Sequence, residues 1–363
     1  MPTRESTRSV TIGLGGVTTR TVGPPPGDPW EPVGDIHYGT GSHGDIIITQ
    51  SDVLVTADSG ATFSSIQLRG VDKVVMLSLT VTGTIFVDAG VRATNCIVRD
   101  CTVAGVYLNT ARTTSGIQAP SGWLIEYCDI NSPSGYCLLV KAHGSEYPYI
   151  QNTTIRYNKL TNPNVDAIQA GWYDGLTIHD NEFSGVIENG NHNDAFQSVF
   201  GGKNLTFTNN YLHHNRCQPF FLKDGIVEGV EFSENLSIYN REAGDGSPAT
   251  QFYRVTDANI HHNTIWDSAG FRLRSGQGVS TNIDMHRNVI NDMYVEVVAD
   301  YQSSAVIVED YNVFGGGWSW VPGEMGANSI EDASPSFDDW RIADYGITWQ
   351  PTGRLYGRAA YTG

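Results

Sequence analysis

IRYNKL, residues Ile155–Leu160, returns as IHDNEF at Ile178–Phe183 and as FTNNYL at Phe207–Leu212. Each phrase places apolar side chains at its first and sixth positions, an Asn at its fourth, and mostly polar residues between. Working outward from these three copies, the frame extends in both directions. It reads VRDCTV from Val98 and IEYCDI from Ile125 upstream. Downstream it reads FSENLS from Phe232, IHHNTI from Ile260, MHRNVI from Met285 and VEDYNV from Val308. VMLSLTV from Val75 adds an earlier copy, with Leu79 at the place of the Asn.

The fourth position is therefore Cys101, Cys128, Asn158, Asn181, Asn210, Asn235, Asn263, Asn288 and Tyr311, at spacings of 23 to 30 residues. Alternation of apolar and polar residues is the period of a half-buried strand. The Gly, Asn, Asp and Ser residues between phrases supply turn chemistry. No helical stripe of useful length interrupts the pattern. Short strands repeated at this period predict an all-β fold, a right-handed single-stranded parallel β-helix of about ten coils with capped ends. At about 4.8 Å per coil the solenoid is a rod roughly 50 Å long. The repeated Asn is structural, since it tolerates the left-handed turn and can hydrogen-bond to its copy in the next coil. A leucine-rich repeat shares the period but needs a regular Leu scaffold that is missing here.

Three segments follow. Residues 1–34 form an N-terminal arm ending in the stiff GPPPGDPWEP stretch. Residues 35–320 form the helix domain, and 321–363, where the repeat breaks, its C-terminal cap. The N-terminus lacks the apolar run of a secretion signal, and no stretch is long and apolar enough to span a membrane. The expected location is a virion or the extracellular space. A net charge of −17 with only 22 Lys and Arg argues against a nucleic-acid partner. The five Cys show no zinc or disulfide pattern and are expected as buried free thiols.

Chemistry concentrates in NGNHNDAFQSVFGG, Asn189–Gly202. VDAIQAGW, from Val165, is a near copy one coil earlier, so Asp166 and Gln169 should stack on Asp194 and Gln197, with Gln118 at a similar place. Two stacked carboxylates repel unless a cation intervenes. They suit acid–base work on glycosides or a calcium site, and calcium is the one cofactor considered. No metal ligands are assigned. His192 breaks the repeat, since Asn164 holds its place one coil earlier, which makes it the stronger catalytic candidate. If Phe221 stacks on Phe196, then Lys223 and Asp224 reach the same face, followed by Tyr253 and Arg254. The candidate catalytic set is His192, Asp194, Asp166 and Lys223. The candidate substrate-binding set is Arg254, Asp224, Gln169, Gln197, Tyr253 and Trp172. A ladder of salt bridges and turn packing would use the same residues without any catalysis.

The repeated coils resemble the right-handed parallel β-helix superfamily of pectate lyases, polygalacturonases and phage tailspikes, over about residues 50–320. The polygalacturonase DD and GHG motifs and a clear pectate-lyase calcium motif are absent. The resemblance implies a carbohydrate-active protein that binds and cleaves a surface polysaccharide by lysis or hydrolysis. Through the tailspikes it implies a homotrimer whose N-terminal arm meets a phage tail. The alternative is a receptor-binding or structural protein with no enzymatic activity.

Overall fold

In the computed structural model the described residues are 32–87, 92–109, 119–142, 149–187, 190, 192–238, 240, 250–266, 271–274, 280–298, 307–310, 312–321 and 330–332. Residues 1–31 of the expected arm, most of the expected C-terminal cap, Gln118 and Tyr311 lie outside them.

Among the described residues there is no helix, and each coil is built from up to three short strands. One coil runs Tyr173–His179, Glu182–Ser184 and Phe196–Ser198, and the chain re-enters the next coil at Gly202–Thr208. Strands at equivalent places pair in parallel, giving three stacked sheets. The first sheet holds twelve strands, the second contains Lys159–Thr161, Glu182–Ser184 and Tyr211–His213, and the third contains Ile168–Gly171, Phe196–Ser198 and Phe221–Leu222. This is a parallel β-helix, and parallel crossovers wind right-handed. The earliest strands, from Gly34–Tyr38 onward, already pair in the same first sheet.

Along many of the described strands buried residues alternate with more exposed ones, as in Tyr173–His179 and Gly202–Thr208, so the interior is a column of apolar side chains. Phe183, Phe196, Phe207, Phe220, Phe232, Phe252 and Phe271 are all buried there. Phe207 stacks on Phe232 at 5.7 Å and 10°, and Phe196 on Phe220 at 5.1 Å and 17°. Burying each ring stabilises the fold by about 1.5–3 kcal/mol.

At the corner between the first and second sheets the predicted Asn ladder is present. Each rung's backbone N–H and side-chain Nδ2 donate to the Oδ1 of the rung one coil later. The distances are 3.0 and 3.0 Å from Asn158 to Asn181, and 3.1 and 3.1 Å from Asn181 to Asn210. The pattern continues through Asn235, Asn263 and Asn288. Cys128 and Cys101 extend it upstream, with Cys128 N–H donating to Asn158 Oδ1 at 3.0 Å and Leu79 N–H donating to Cys101 Sγ at 3.5 Å. All five Cys are buried thiols outside any disulfide.

Two expectations shift by one residue. The last rung is Asn312, whose Oδ1 accepts the Asn288 N–H at 2.9 Å, rather than Tyr311. Glu309, not Val308, takes the place of Met285 in the register. A second, shorter ladder, Asn215 to Asn240, lies after the second sheet and falls outside the repeated phrase. No helix among the described residues is long and apolar enough to cross a membrane.

Candidate functional site

The third sheet carries the candidate residues because its register aligns them. Gln169 pairs with Gln197, Gln197 with Phe221, Phe221 with Gln251, and Gln251 with Arg272. This row lies one residue out of phase with the buried row Ile168, Phe196 and Phe220. The expected stacking of Phe221 on Phe196 is thus replaced by Phe220 on Phe196, and Phe221 joins the Gln row. Two adjacent Phe residues left the phase ambiguous, and only one can enter the core.

Three residues before each Gln the chain turns into the strand. Here Asp166 and Asp194 sit on successive coils, as their 28-residue spacing predicted, and Asp194 bridges on to Gln218. Both carboxylates are buried. Asp166 Oδ1 accepts the Asp194 N–H at 2.9 Å and its Oδ2 accepts Gln169 Nε2 at 2.8 Å. Gln169 Nε2 also donates to Gln197 Oε1 at 3.2 Å, and Gln197 Nε2 donates to Asp194 Oδ2 at 2.5 Å. The four side chains form one closed network. Asp194 Oδ1 is buried and has no hydrogen-bond partner.

His192 enters from the loop between the second and third sheets. It adopts a left-handed φ of 55°, uncommon for a residue other than Gly and a mark of functional or structural constraint. Its Nδ1 lies 3.5 Å from Asp194 Oδ2, with the imidazole 48% exposed and the Asp194 side chain fully buried. The ring leans on Phe221 at 6.0 Å, and Phe221 meets the edge of Tyr253 at 5.5 Å.

The electrostatics follow from that burial. Burial, then the charge of Asp194, pushes the Asp166 carboxyl up to about 7. Burial pushes Asp194 up to about 6, against the pull of His192, Gln197 and Lys223. The Asp194 carboxylate holds the His192 imidazole above its ordinary value. The buried pair and the imidazole above it therefore bias one another's proton affinity.

The other candidates spread along this face. Lys223 follows Phe221–Leu222 and is half-buried, close enough for its charge to act on both His192 and Asp194. Asp224 is half-buried in the turn just beyond, ahead of Gly225 with φ of 85°. Trp172 and Arg254 are not brought to His192. They occupy the opposite edge, at the corner leading into the first sheet, where Trp172 N–H donates to Gly201 O and Val227 N–H to Arg254 O. Arg254 Nε is buried without a hydrogen-bond partner. Trp172 stacks on Phe200 at 4.3 Å and 7°.

Lys141 joins the site although the sequence did not single it out. Its Nζ donates to Gln169 Oε1 at 3.2 Å and sits 4.9 Å above the Phe200 ring. It is in register with Gly171. Aligning LLVK (Leu138–Lys141) on IQAG (Ile168–Gly171) would have found it. Calcium, which takes six to eight oxygens, does not fit the Asp pair as folded: Asp166 Oδ1, Asp166 Oδ2 and Asp194 Oδ2 already accept hydrogen bonds.

Comparison with known proteins agrees on the architecture. The model of a family described as right handed beta helix region matches residues 82–246. No curated protein matches the chain. Among solved structures, PfbA, a surface adhesin of Streptococcus pneumoniae, superposes with a TM-score of 0.50 at 9% identity, covering 75% of this chain and 85% of that one. The Dettilon tailspike protein gives 0.49 at 14% identity over 82% and 61%. The mannuronan C-5 epimerase A-module of Azotobacter vinelandii gives 0.45 at 16% identity over 82% and 91%. At 9% identity the likeness to PfbA is one of fold.

Proposed function

We propose that the chain binds an extended acidic polysaccharide along its third sheet and cleaves it by β-elimination at the His192 edge. The observation that carries this reading is the His192–Asp194 pair: an imidazole half in solvent, backed at 3.5 Å by a fully buried carboxylate. A buried carboxylate behind a His orients the ring and stabilises its protonated form, the arrangement of an effective general base. His192 would take the proton from the ring carbon next to a uronate carboxylate. The released electron pair forms the carbon–carbon double bond, the glycosidic C–O bond breaks, and the departing oxygen takes a proton from solvent. Lys223 would offset the negative charge that develops on the carboxylate.

Burial separates this from hydrolysis, which needs two carboxyls that reach the sugar. Asp166 and Asp194 reach only each other, the Gln pair and His192. Lys141 over Phe200, with Trp172 beneath, supplies a cationic and aromatic platform at the far edge. On this reading the protein works at or outside a cell surface. The tailspike resemblance adds a homotrimer and tail attachment through residues 1–34 as corollaries, the first of them checked by light scattering.

Incubation with a panel of uronate-containing and neutral polysaccharides tests the proposal. The expected result is an unsaturated, ultraviolet-absorbing product that His192→Ala abolishes. New reducing ends without that absorbance would mean hydrolysis. Binding without shortening would support the second reading, an adhesin, which the full hydrogen bonding of Asp166 favours.

A further inference from the structure

On the first sheet, away from the His192 edge, three imidazoles converge. His261 ends strand Val255–His261 and His286 ends strand Thr281–His286, in register with each other. Their rings stack at 5.1 Å and 9°. His262 takes the left-handed turn, φ 55°, and folds back so that its Nδ1 lies 2.6 Å from His261 Nδ1. Its ring stands at 85° to His261 and 80° to His286. One ligand nitrogen from each of the three lies within 4.8 Å of the others.

The outer nitrogens are engaged by carboxylates. His261 Nε2 is 2.7 Å from Glu231 Oε1, which leaves its Nδ1 facing His262. His286 Nδ1 is 3.1 Å from Asp284 Oδ1, which leaves its Nε2 free to ligate. A carboxylate on the far nitrogen of a ligating His is the usual outer arrangement of a metal site, because it fixes the tautomer and raises the basicity of the ligand. Asp310 follows His286 in the register, one coil further on.

We infer that His261, His262 and His286 bind a first-row transition-metal ion of the zinc class. Imidazole nitrogen is a preferred ligand for zinc, copper and nickel. At zinc–nitrogen distances of about 2.0–2.1 Å, tetrahedral ligands stand roughly 3.4 Å apart, which small rotations of these rings achieve. Three protein ligands leave the fourth position for water or a further oxygen ligand. His261 and His286 occupy one position of the repeat, which is Ser233 and Thr208 in the preceding two coils, and the turn residue His262 completes the cluster.

The test uses tag-free full-length protein, stripped with a chelator and dialysed against zinc, with bound metal measured by mass spectrometry. One equivalent per chain is expected in the wild type and in a His213→Ala control. His262→Ala and His286→Ala should each lose it while keeping the wild-type circular dichroism spectrum. Glu231→Gln should weaken binding by about 10- to 100-fold. Cobalt substitution should give the intense visible bands of a tetrahedral site. His262 lies in a turn, so its variant keeps the test decisive if His286→Ala fails to fold. No saturable binding, or an equivalent retained in His262→Ala, would overturn the assignment.

Discussion

Replacing one rung of the Asn ladder is the sharpest test of what holds the coils together. The Asn210 side chain makes four hydrogen bonds. Its Oδ1 accepts from Asn181 N–H and Asn181 Nδ2, each at 3.1 Å. Its Nδ2 donates to Ile178 O at 2.9 Å and to Asn235 Oδ1 at 3.2 Å. After Asn210→Ala, Asn181 Nδ2 retains Ile155 O and His179 O, and Asn235 Oδ1 retains the residue-210 N–H. One group is left unpaired, the Asn181 N–H; the Ile178 carbonyl loses the Asn210 Nδ2 but stands in a strand paired with the next coil. A buried polar group left unpaired costs about 1–3 kcal/mol, so the substitution should destabilise the protein by roughly that much or more. That is a large part of the roughly 5–15 kcal/mol typical of a folded domain. Cys128→Ala is the contrast, because the Sγ of Cys128 accepts only a weak 3.5 Å contact from Cys101 N–H, and it should cost much less through that bond. Urea denaturation followed by circular dichroism measures both. A loss below about 1 kcal/mol for Asn210→Ala, or equal losses for the two variants, would refute the view that the ladder rather than apolar stacking fixes this corner.

Three further perturbations probe the site and its scaffold. Asp166 and Asp194 bind protons more tightly folded than unfolded, so stability should be greatest near pH 4 and fall as pH rises through the window up to about 7; His192, also raised, acts in the same direction. Asp166 alone corresponds to on the order of 4 kcal/mol across that window, and thermal melts of Asp166→Asn that keep the full wild-type slope would contradict it. Gly171→Ala would drive a Cβ into the Val199 carbonyl oxygen, so it should lose about 1–3 kcal/mol or more by overpacking, measured as a lowered urea midpoint. Phe200→Ala removes the exposed half of the Trp172 stack and should weaken polysaccharide binding by about 1 kcal/mol, roughly fivefold, with an unchanged melt; equal affinity in a binding titration would remove this edge from the binding surface.

The Asn frame was legible because a ladder demands the same residue at the same place in every coil, and alternation then sets the inside and outside of each strand. The Tyr311 slip arose where Val308 offered an apolar start one residue early, and only backbone pairing decides between it and Glu309. The Asn215–Asn240 ladder has too few rungs to announce itself as a period. Within the site, the stacking of Asp166 on Asp194 and Gln169 on Gln197 could be read from the 28-residue copy. What the copy could not convey is burial. The same two Asp residues look like reactive groups in a sequence, yet they serve as hydrogen-bond acceptors beneath His192. The separation of Trp172 and Arg254 from His192 was equally hidden, since it depends on which side of a three-residue strand each one falls. His261 and His286 share one position of the repeat, so their stacking was implicit in IHHNTI and MHRNVI; the return of the His262 ring depends on its turn.

The ladder has a direction. Every rung gives its backbone proton toward the C-terminal end and receives from the N-terminal side, and upstream the ladder dies out through two thiols at the apolar side chain of Leu79. Because each rung gives and receives in the same way, excising one whole coil between two Asn residues should leave flanking rungs able to join by the same bonds. The coil between Asn181 and Asn210, which carries His192, is one such unit.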